Sequence, residues 1–506
     1  MILFEALYVA PPALTAQAPI LVIAGPLIGA CAAALSPGGR TAWVVSVLTA
    51  VFALWMAVAV AGEVARQGAI DYALGGFAPP MGIALRIDAL GATMALLIAS
   101  VGLMGALYSG HALESEVRAE KRTLFQSGYL VCLAGFLGLV LTGDAFNAFV
   151  FLEVSSIGTY ALVAVGEARD RRALPAAFNY LIFGTVGATL YVLGVGFLYA
   201  ATGTLNLADM APRLAALGDN SAVQAGLAFI VAGLGIKAAM FPLHGWLLGA
   251  YAGAPSLVSV FLAATATKAA IYLIIRFVFG VFPEGEFGEN FLRWILAPLA
   301  AAAVIICSMQ AIFEREVRRI LAFSSVAQVG FILLGASLAT TAGLSASVFY
   351  LVAHALMKGT LFMAVGAFAI SVRARTVEDF SGIAREAPWS AAAFAVGAAS
   401  LVGAPLTMGF LAKWSLVSSA LQAGEIWIVV VLAIGSLLTL IYVGRILEAM
   451  FFRAPVRGAE RASEAPVGVL VPLFVFSGLS LWFGVDATLP ASLANASASV
   501  LMGEAP

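Results

Sequence analysis

Six ionisable side chains stand where the surrounding sequence is almost wholly apolar: Glu153, Lys237, Lys268, His354, Lys358 and Lys413. No charge occurs in 387–412 before Lys413 or 414–424 after it, in 359–372 after Lys358, or in 320–353 before His354. The 23 residues between His244 and Lys268 hold no charge and no His, and Glu153 is flanked by the uncharged stretches 145–152 and 154–166. An ionisable group at the centre of a membrane helix opposes insertion by about 2.5 to 3.5 kcal/mol, so four lysines oppose it by roughly 10 kcal/mol. The chemistry such groups offer is proton exchange. An ammonium taken out of water releases its proton more readily and a nearby carboxylate reverses the effect, so charge moving along a row switches the proton affinity of the next group. The bland reading of any one of them is a static pair, such as Glu153 with a lysine, that fixes helix packing. Six together exceed what packing requires, because replacing a buried pair with apolar residues is often neutral or stabilising.

Two of the lysines sit beside helix breakers, in LGIKAAMFPLHGW and GAPLTMGFLAKW. Pro242 and Pro405 each remove a backbone hydrogen bond, and a broken helix in each half of a membrane chain is a sequence pointer to an ion site. His354 and Lys358 lie four apart in HALMK and so share one helix face, where they can pass a proton between them. His244, just after Pro242, is a further candidate. So is Asp144 in LTGDAFN, which reads equally as the cap of the following helix. Arg445 and Glu448 read as an interfacial ion pair, and His111, beside Glu114 and Glu116, as a solvated loop residue. The Ser, Thr and Gly residues of 184–204 and 324–345 read as close helix packing. Cys31, Cys132 and Cys307 lie far apart, which suggests no disulfide, iron-sulfur or zinc site. GLGIKA has no βαβ unit around it to make it a dinucleotide site. No cofactor and no metal is expected.

The elements that position these residues follow from composition. Of 506 residues 62% are hydrophobic and 10% charged, against about 25% charged in soluble domains, which excludes a water-soluble enzyme. A net charge of -1 leaves no basic surface for nucleic acid. A membrane span needs about 20 apolar residues, and such stretches fall near 19–36, 41–61, 87–109, 123–142, 145–166, 174–200, 222–248, 255–279, 291–311, 319–339, 343–371, 388–421, 425–451 and 465–485. These are runs too long for barrel strands, so an all-α polytopic membrane protein with about fourteen transmembrane helices is expected. Loop charges agree with that count. Seventeen of the 26 basic residues lie after odd-numbered spans: Arg40; Arg118, Lys121 and Arg122; Arg169, Arg171 and Arg172; Arg315, Arg318 and Arg319; Arg373, Arg375 and Arg385; Arg445, Arg453, Arg457 and Arg461. Only Arg66, Arg86, Arg213, Arg276 and Arg293 lie at the even loops and their helix ends. Because cytoplasmic loops collect Lys and Arg, the odd loops are expected inside and both termini outside. Glu5, with no Lys or Arg before Arg40, does not match the basic start of a cleaved signal peptide.

LTGDAFNAFVFLEVSSIGTYALV around Glu153, ATGTLNLADMA at 201–211, KAAMFPLHGW around Lys237, ATKAAIYLIIRF around Lys268, ILAFSSVAQVGFILLG at 320–335 and AHALMKGTLF around His354 resemble the proton-conducting antiporter-like membrane subunits. That superfamily holds the D and A subunits of Mrp-type cation/proton antiporters and the antiporter-like subunits of respiratory complex I. The first two motifs are most similar to the Mrp D subunit. The resemblance implies two inverted five-helix repeats, helices 4–8 and 9–13, each with a broken helix. It divides the chain into an N-terminal three-helix segment (1–118), a first half (119–285), a second half (286–455) and a C-terminal helix and tail (456–506). It implies that Glu153 and Lys237 form the helix 5 and broken-helix pair, that Lys268 is the connecting lysine, that His354 and Lys358 occupy the helix 11 positions, and that Lys413 is the terminal lysine. Gln328 stands where complex I relatives often carry His, which implies a relay through water there. GAPLTMGFLAK departs from the family's double-proline GxPPxxGF pattern before Lys413. The chain ends about twenty residues after the last span, so the lateral helix of the largest complex I antiporter-like subunit is expected to be absent.

The function implied is a proton path in a multisubunit monovalent cation (Na+ or K+)/proton antiporter of the bacterial cytoplasmic membrane. Its expected partners are other membrane subunits, the lipid bilayer, protons and monovalent cations, with no nucleic acid and no enzyme activity of its own. The alternative is a proton-pumping membrane-arm subunit of a complex I-like NADH:quinone oxidoreductase or a membrane-bound hydrogenase. A third reading is a self-contained solute carrier.

Overall fold

In lipid every backbone N–H and C=O must find its partner within the protein, which long apolar runs achieve by closing into α-helices. The computed structural model describes residues 12–168, 170–218, 220–282, 285–372, 374–455 and 463–504; Glu5, Arg169, Arg373, Arg457 and Arg461 of the charge pattern lie outside them. Among the described residues eleven helices are long and apolar enough to cross a membrane, and three shorter apolar helices fall on the remaining expected stretches. In chain order they are α1 (Ala18–Ala34), α2 (Gly39–Gln67), α3 (Ala89–Glu116), α4 (Arg122–Leu141), α5 (Ala145–Ala164), α6 (Ala173–Thr202), α7a (Ser221–Lys237) with α7b (Gly245–Gly253), α8 (Ser256–Gly280), α9 (Gly288–Phe313), α10 (Val317–Ala336), α11 (Thr341–Ser371), α12a (Pro388–Val402) with α12b (Met408–Gln422), α13 (Ile426–Phe452) and α14 (Val467–Val485). The protein is thus an all-α polytopic membrane protein.

Polar residues at the span starts serve as N-caps, taking up helix-terminal N–H groups that would otherwise lack a partner. Asp88 accepts from the Gly91 N–H at 3.0 Å, Asp144 from Asn147 at 2.7 Å, Asn220 from Ala222 at 2.9 Å and Thr340 from Gly343 at 3.0 Å. Asp144 therefore has a structural task, opening α5, and it stands at the end of the span, about two and a half turns from Glu153.

The described residues also hold elements that were not anticipated. Strands β1 (Ile70–Ala73) and β2 (Ala84–Ile87) pair antiparallel between α2 and α3, with Ile70 opposite Ile87. A short amphipathic helix, Leu207–Leu217, buries Leu207, Met210 and Leu214. Beyond α14 the chain forms α15 (Thr488–Leu501), which packs against α11 and α3.

Helices α8, α10 and α11 form the centre: 100%, 94% and 94% of their most apolar windows are buried, against 33% for each of α13 and α14. The peripheral helices present apolar side chains outward, as lipid-facing helices do. The central three carry Lys268, Gln328, His354 and Lys358.

Helix α6 meets α7a along a seam of glycines, Gly187 and Gly194 on one and Gly226 and Gly233 on the other. Each pair is seven residues apart, two turns on one face. A Cβ on Gly194 would lie 2.6 Å from the Gly226 carbonyl oxygen and 2.8 Å from the Ile230 nitrogen, so the helices touch backbone to backbone, as small residues permit in membranes. This contact fixes α7a, whose last residue is Lys237. Gly194→Ala is expected to force the two helices apart and lower stability by about 1–3 kcal/mol, the usual cost of overpacking. Thermal melts of purified wild-type and variant protein check this, and coincident melting would show that the seam yields freely.

Loops expected on the same side of the membrane meet in space. Arg172 pairs with Asp170 (2.8 Å) and Glu316 (3.0 Å), Arg375 pairs with Asp170 (3.4 Å), and Arg318 lies 3.5 Å from Glu116. At the opposite ends of the helices Arg276 pairs with Asp88, and isolated bridges join Leu85 to Thr142 and Asp144 to Asn206. Burial alone would raise the Asp170 carboxyl, but its hydrogen bonds to Arg172 and the charges of Arg172 and Arg375 hold it below the usual carboxylate range. A depressed carboxylate adds stability that is complete above its unfolded value, about 3.9, and lost as pH falls through its folded value. Asp170→Asn is therefore expected to lower the melting temperature at pH 7, with the gap from wild type closing below about pH 4. A gap that persists at low pH would show that the pairing contributes nothing.

The expected pair of Arg445 and Glu448 does not form. Arg445 instead donates to the Ile312 carbonyl and, at 3.4 Å, to that of Glu314, groups left open at the end of α9. Glu448 turns the other way and pairs with Arg453 at 2.6 Å.

Candidate functional site

In both broken helices a lysine amine reaches the break. Helix α7a stops at Lys237, the chain turns through Ala239 in the left-handed region (φ 53°) and a cis Phe241–Pro242 bond, and α7b resumes at Gly245. The Trp246 indole N–H donates to the Ile236 carbonyl at 2.7 Å and joins the two pieces. In α12 the break runs from Gly403 (φ 89°) past Pro405 and Leu406 (φ 67°) to the Thr407 cap. Lys413 reaches back across it to the Val402 carbonyl at 2.8 Å.

Lys237 meets Glu153. Its Nζ lies 3.4 Å from Glu153 Oε1, 2.7 Å from Ser156 Oγ and 3.2 Å from Tyr160 Oη. The lysine side chain is 7% exposed and the glutamate 26%. Ser156 and Tyr160 sit one and two turns beyond Glu153 on α5, so one helix face supplies all three partners. From Tyr160 the buried aromatics lead inward. Tyr160 packs edge-on against Tyr180 at 4.6 Å, Tyr180 stacks on Trp246 at 4.2 Å, and Thr159 donates to the Tyr180 hydroxyl at 3.3 Å. The buried Tyr251 hydroxyl of α7b approaches Thr267 without completing a hydrogen bond.

Lys268 is fully buried in α8, just after a π-helical turn at Leu262–Ala266, a distortion frequent at functional sites. Its ammonium donates to the Ala263 carbonyl within that turn and to Thr267 Oγ1 at 3.3 Å. His354 and Lys358 lie near enough for the charge of Lys268 to act on both. Lys358 donates to the Leu321 carbonyl at 2.9 Å and to the Ser324 hydroxyl. His354 is fully buried, and among the described residues neither ring nitrogen has a hydrogen-bond partner, so it shares a face with Lys358 without a hydrogen bond to it.

Further along α10, Gln328 is joined to the Tyr350 hydroxyl, and its own Nε2 is buried without a partner. The Tyr442 hydroxyl lies beside Ser324 and Gln328 and donates to Thr439 at 3.3 Å. Phe331 stacks on Tyr350 at 5.7 Å, and Lys413 Nζ stands 5.0 Å above the Phe331 ring. The sequence pattern did not single out Ser156, Tyr160, Ser324, Tyr350 or Tyr442. For Ser156, Tyr160 and Tyr350 the available signal was a hydroxyl three, seven and four residues from Glu153, Glu153 and His354; Ser324 and Tyr442 carried no such signal.

The amines thus form a row in which polar and aromatic side chains occupy the intervals. Lys268, Lys358 and Lys413 each donate to a main-chain carbonyl, and among the described residues only Lys237 of the four pairs with a carboxylate. His244 borders the row at the junction of α7 and α10. It is 9% exposed, its Nδ1 is without a partner, and its ring lies 6.4 Å from Phe323. Among the described residues no group of three or more His, Cys, Asp or Glu is arranged to hold a metal ion.

Comparison with known proteins agrees with this architecture. The family described as NADH:quinone oxidoreductase/Mrp antiporter, TM, matches residues 142–439. A NADH-quinone oxidoreductase subunit N of Desulforudis audaxviator (strain MP104C) is 40% identical over 91% of this chain and 94% of its own length. The D subunit of a Na(+)/H(+) antiporter of Bacillus subtilis (strain 168) is 32% identical over 83% of each chain. Among solved structures, a chain of the Mrp complex from Dietzia sp. DQ12-45-1b superposes with a TM-score of 0.88 at 28% identity, covering 97% of this chain and 98% of that one.

Proposed function

The chain belongs to the NADH:quinone oxidoreductase/Mrp antiporter transmembrane family, and from that premise we propose that it carries the proton path of a multisubunit monovalent cation/proton antiporter exchanging Na+ or K+. The observation that carries the reading is the row from Glu153 and Lys237 through Lys268, His354 and Lys358 to Lys413, which runs through both broken-helix halves, 119–285 and 286–455. Proton exchange among amines in a dry interior needs a hydrogen-bonding group or water at each gap. Tyr160, Thr267, Ser324 and Gln328 supply such groups. In this reading His244 supports the junction between the halves, Pro242 and Pro405 keep the breaks open, and the chain sits in a bacterial cytoplasmic membrane with its arginine-rich loops inside and both termini outside.

A second reading has a specific observation in its favour: the 40% identity with a subunit N over 91% of the chain. In it the same row pumps protons as a membrane-arm subunit of an NADH:quinone oxidoreductase-type complex or a membrane-bound hydrogenase, driven by redox centres in other chains. Likeness to the Bacillus antiporter chain and to the Mrp chain supports the antiporter to the same degree. Purifying the intact membrane complex and identifying its subunits separates the two. Small antiporter subunits support the first, iron-sulfur and quinone-site subunits support the second, and solute uptake by the purified chain alone sinks both.

A further inference from the structure

At the arginine-rich ends of α2, α3 and α4 a groove opens that the proton row does not use. Its walls include Arg40, Trp43, Glu114 and Arg122, and its floor Ser109 and Gln126. Arg122 is held in place by its bonds to the Val117 carbonyl at 3.0 Å and the Glu114 carbonyl at 2.9 Å. Gln126 is 1% exposed; its Nε2 donates to Ser109 Oγ at 2.9 Å, which fixes the amide, while its Oε1 is buried at the groove floor with no partner among the described residues. A buried amide oxygen left open costs free energy unless a donor reaches it. The groove therefore offers two guanidinium groups at its mouth and one acceptor at its base.

Below the groove an apolar track begins. Val44, Leu48, Val51 and Trp55 are exposed on α2, and with Arg40 they fall on one helix face at spacings of four, four, three and four. Trp43 anchors the top of the track, its indole N–H donating to the Ala106 carbonyl at 2.9 Å. A cationic, donor-seeking pocket at a helix end, above a continuous apolar stripe, matches a molecule with an anionic head and a hydrocarbon tail. Basic pockets between membrane helices on the cytoplasmic side are suited to such heads.

We propose that this groove binds one glycerophospholipid, its phosphate between Arg40 and Arg122, its headgroup hydroxyl or ammonium donating to Gln126 Oε1, and an acyl chain lying along the α2 stripe. Phosphatidylethanolamine and phosphatidylglycerol both carry the required donor. Phosphatidylcholine carries the same phosphate but no donor, so the groove discriminates against it. A partner subunit is the other conceivable occupant, but a protein side chain would not account for the two arginines at the mouth together with the lengthwise stripe.

The test is native mass spectrometry of the delipidated full-length chain titrated with dioleoyl forms of the three lipids, and separately with inorganic phosphate. Wild type is expected to retain one phosphatidylethanolamine or phosphatidylglycerol in preference to phosphatidylcholine. Arg40→Gln, at an exposed position, should bind all three about fivefold more weakly, the effect of one basic residue near a lipid head. Gln126→Leu should keep the affinity for phosphatidylcholine and lose the preference. Equal retention of the three lipids by wild type overturns the proposal, as does unchanged binding by Arg40→Gln. Inorganic phosphate competing as well as lipid would make this a free-phosphate site and overturn the lipid assignment. Protection of Arg40 from an arginine-modifying reagent in the delipidated, assembled complex would give the groove to a partner subunit instead.

Discussion

Lys237→Arg is expected to leave the protein folded and assembled while reducing ion exchange in membrane vesicles to the level of vesicles lacking it. Arginine keeps the positive charge beside Glu153 and retains donors for Ser156 and Tyr160, so the packing role survives. It cannot be deprotonated in a protein, so any step that requires this amine to give up a proton stops. Lys237→Ala and Glu153→Ala should abolish exchange too, but each also strands a charge. Removing one partner of a buried pair typically costs about 3–5 kcal/mol, here lessened by the 26% exposure of Glu153. The arginine variant therefore separates path from packing: a wild-type rate in Lys237→Arg vesicles, by the dissipation of an imposed pH gradient on adding Na+ or K+, would make the pair structural and remove the first half from the route.

Lys413→Met is expected to block transport as completely, for a different reason. The amine at the second break has no carboxylate; it is held by the Val402 carbonyl at 2.8 Å and the face of Phe331 at 5.0 Å. Methionine fills nearly the same space, and the carbonyl it releases lies beside a break where the backbone is already irregular. Stability should change little and exchange should be lost. Full activity in Lys413→Met would confine the path to the first half, whatever Lys237→Arg shows, so the two experiments fail independently.

Much of this arrangement was legible in the residues. The spans were readable because a helix in lipid must be apolar over its whole length, and the four lysines because each interrupts such a run. Pro242 and Pro405 marked the breaks. They did not give the extents: the stretch 222–248 holds two helices separated at 238–244, and the partner of Lys413 is a carbonyl that no side-chain pattern announces. The pairing of Arg453 with Glu448, where Arg445 was expected, turned on where α9 ends. The hairpin at Ile70–Ile87 escaped notice because its strands are four residues each and set between long apolar helices. Helix α15 escaped because Ser and Ala fill it. The tyrosine hydroxyls were hidden for a simpler reason: tyrosine counts as apolar in any hydropathy sum, and only tertiary packing decides that Tyr160 turns its oxygen to Lys237 and Tyr350 to Gln328.

The preference of Lys268, Lys358 and Lys413 for main-chain carbonyls has a wider consequence. A carbonyl dipole steadies a cation but does not cancel it, and unit charges in a poorly polarisable interior repel strongly over several ångströms. Beyond Lys237 the row therefore has little capacity for simultaneous occupancy. On the path we propose, traffic would resemble a single-file queue, in which an arriving charge advances only when the place ahead has been vacated. Throughput would then be set by the slowest departure, and crowding at one end would be felt at the other as back-pressure.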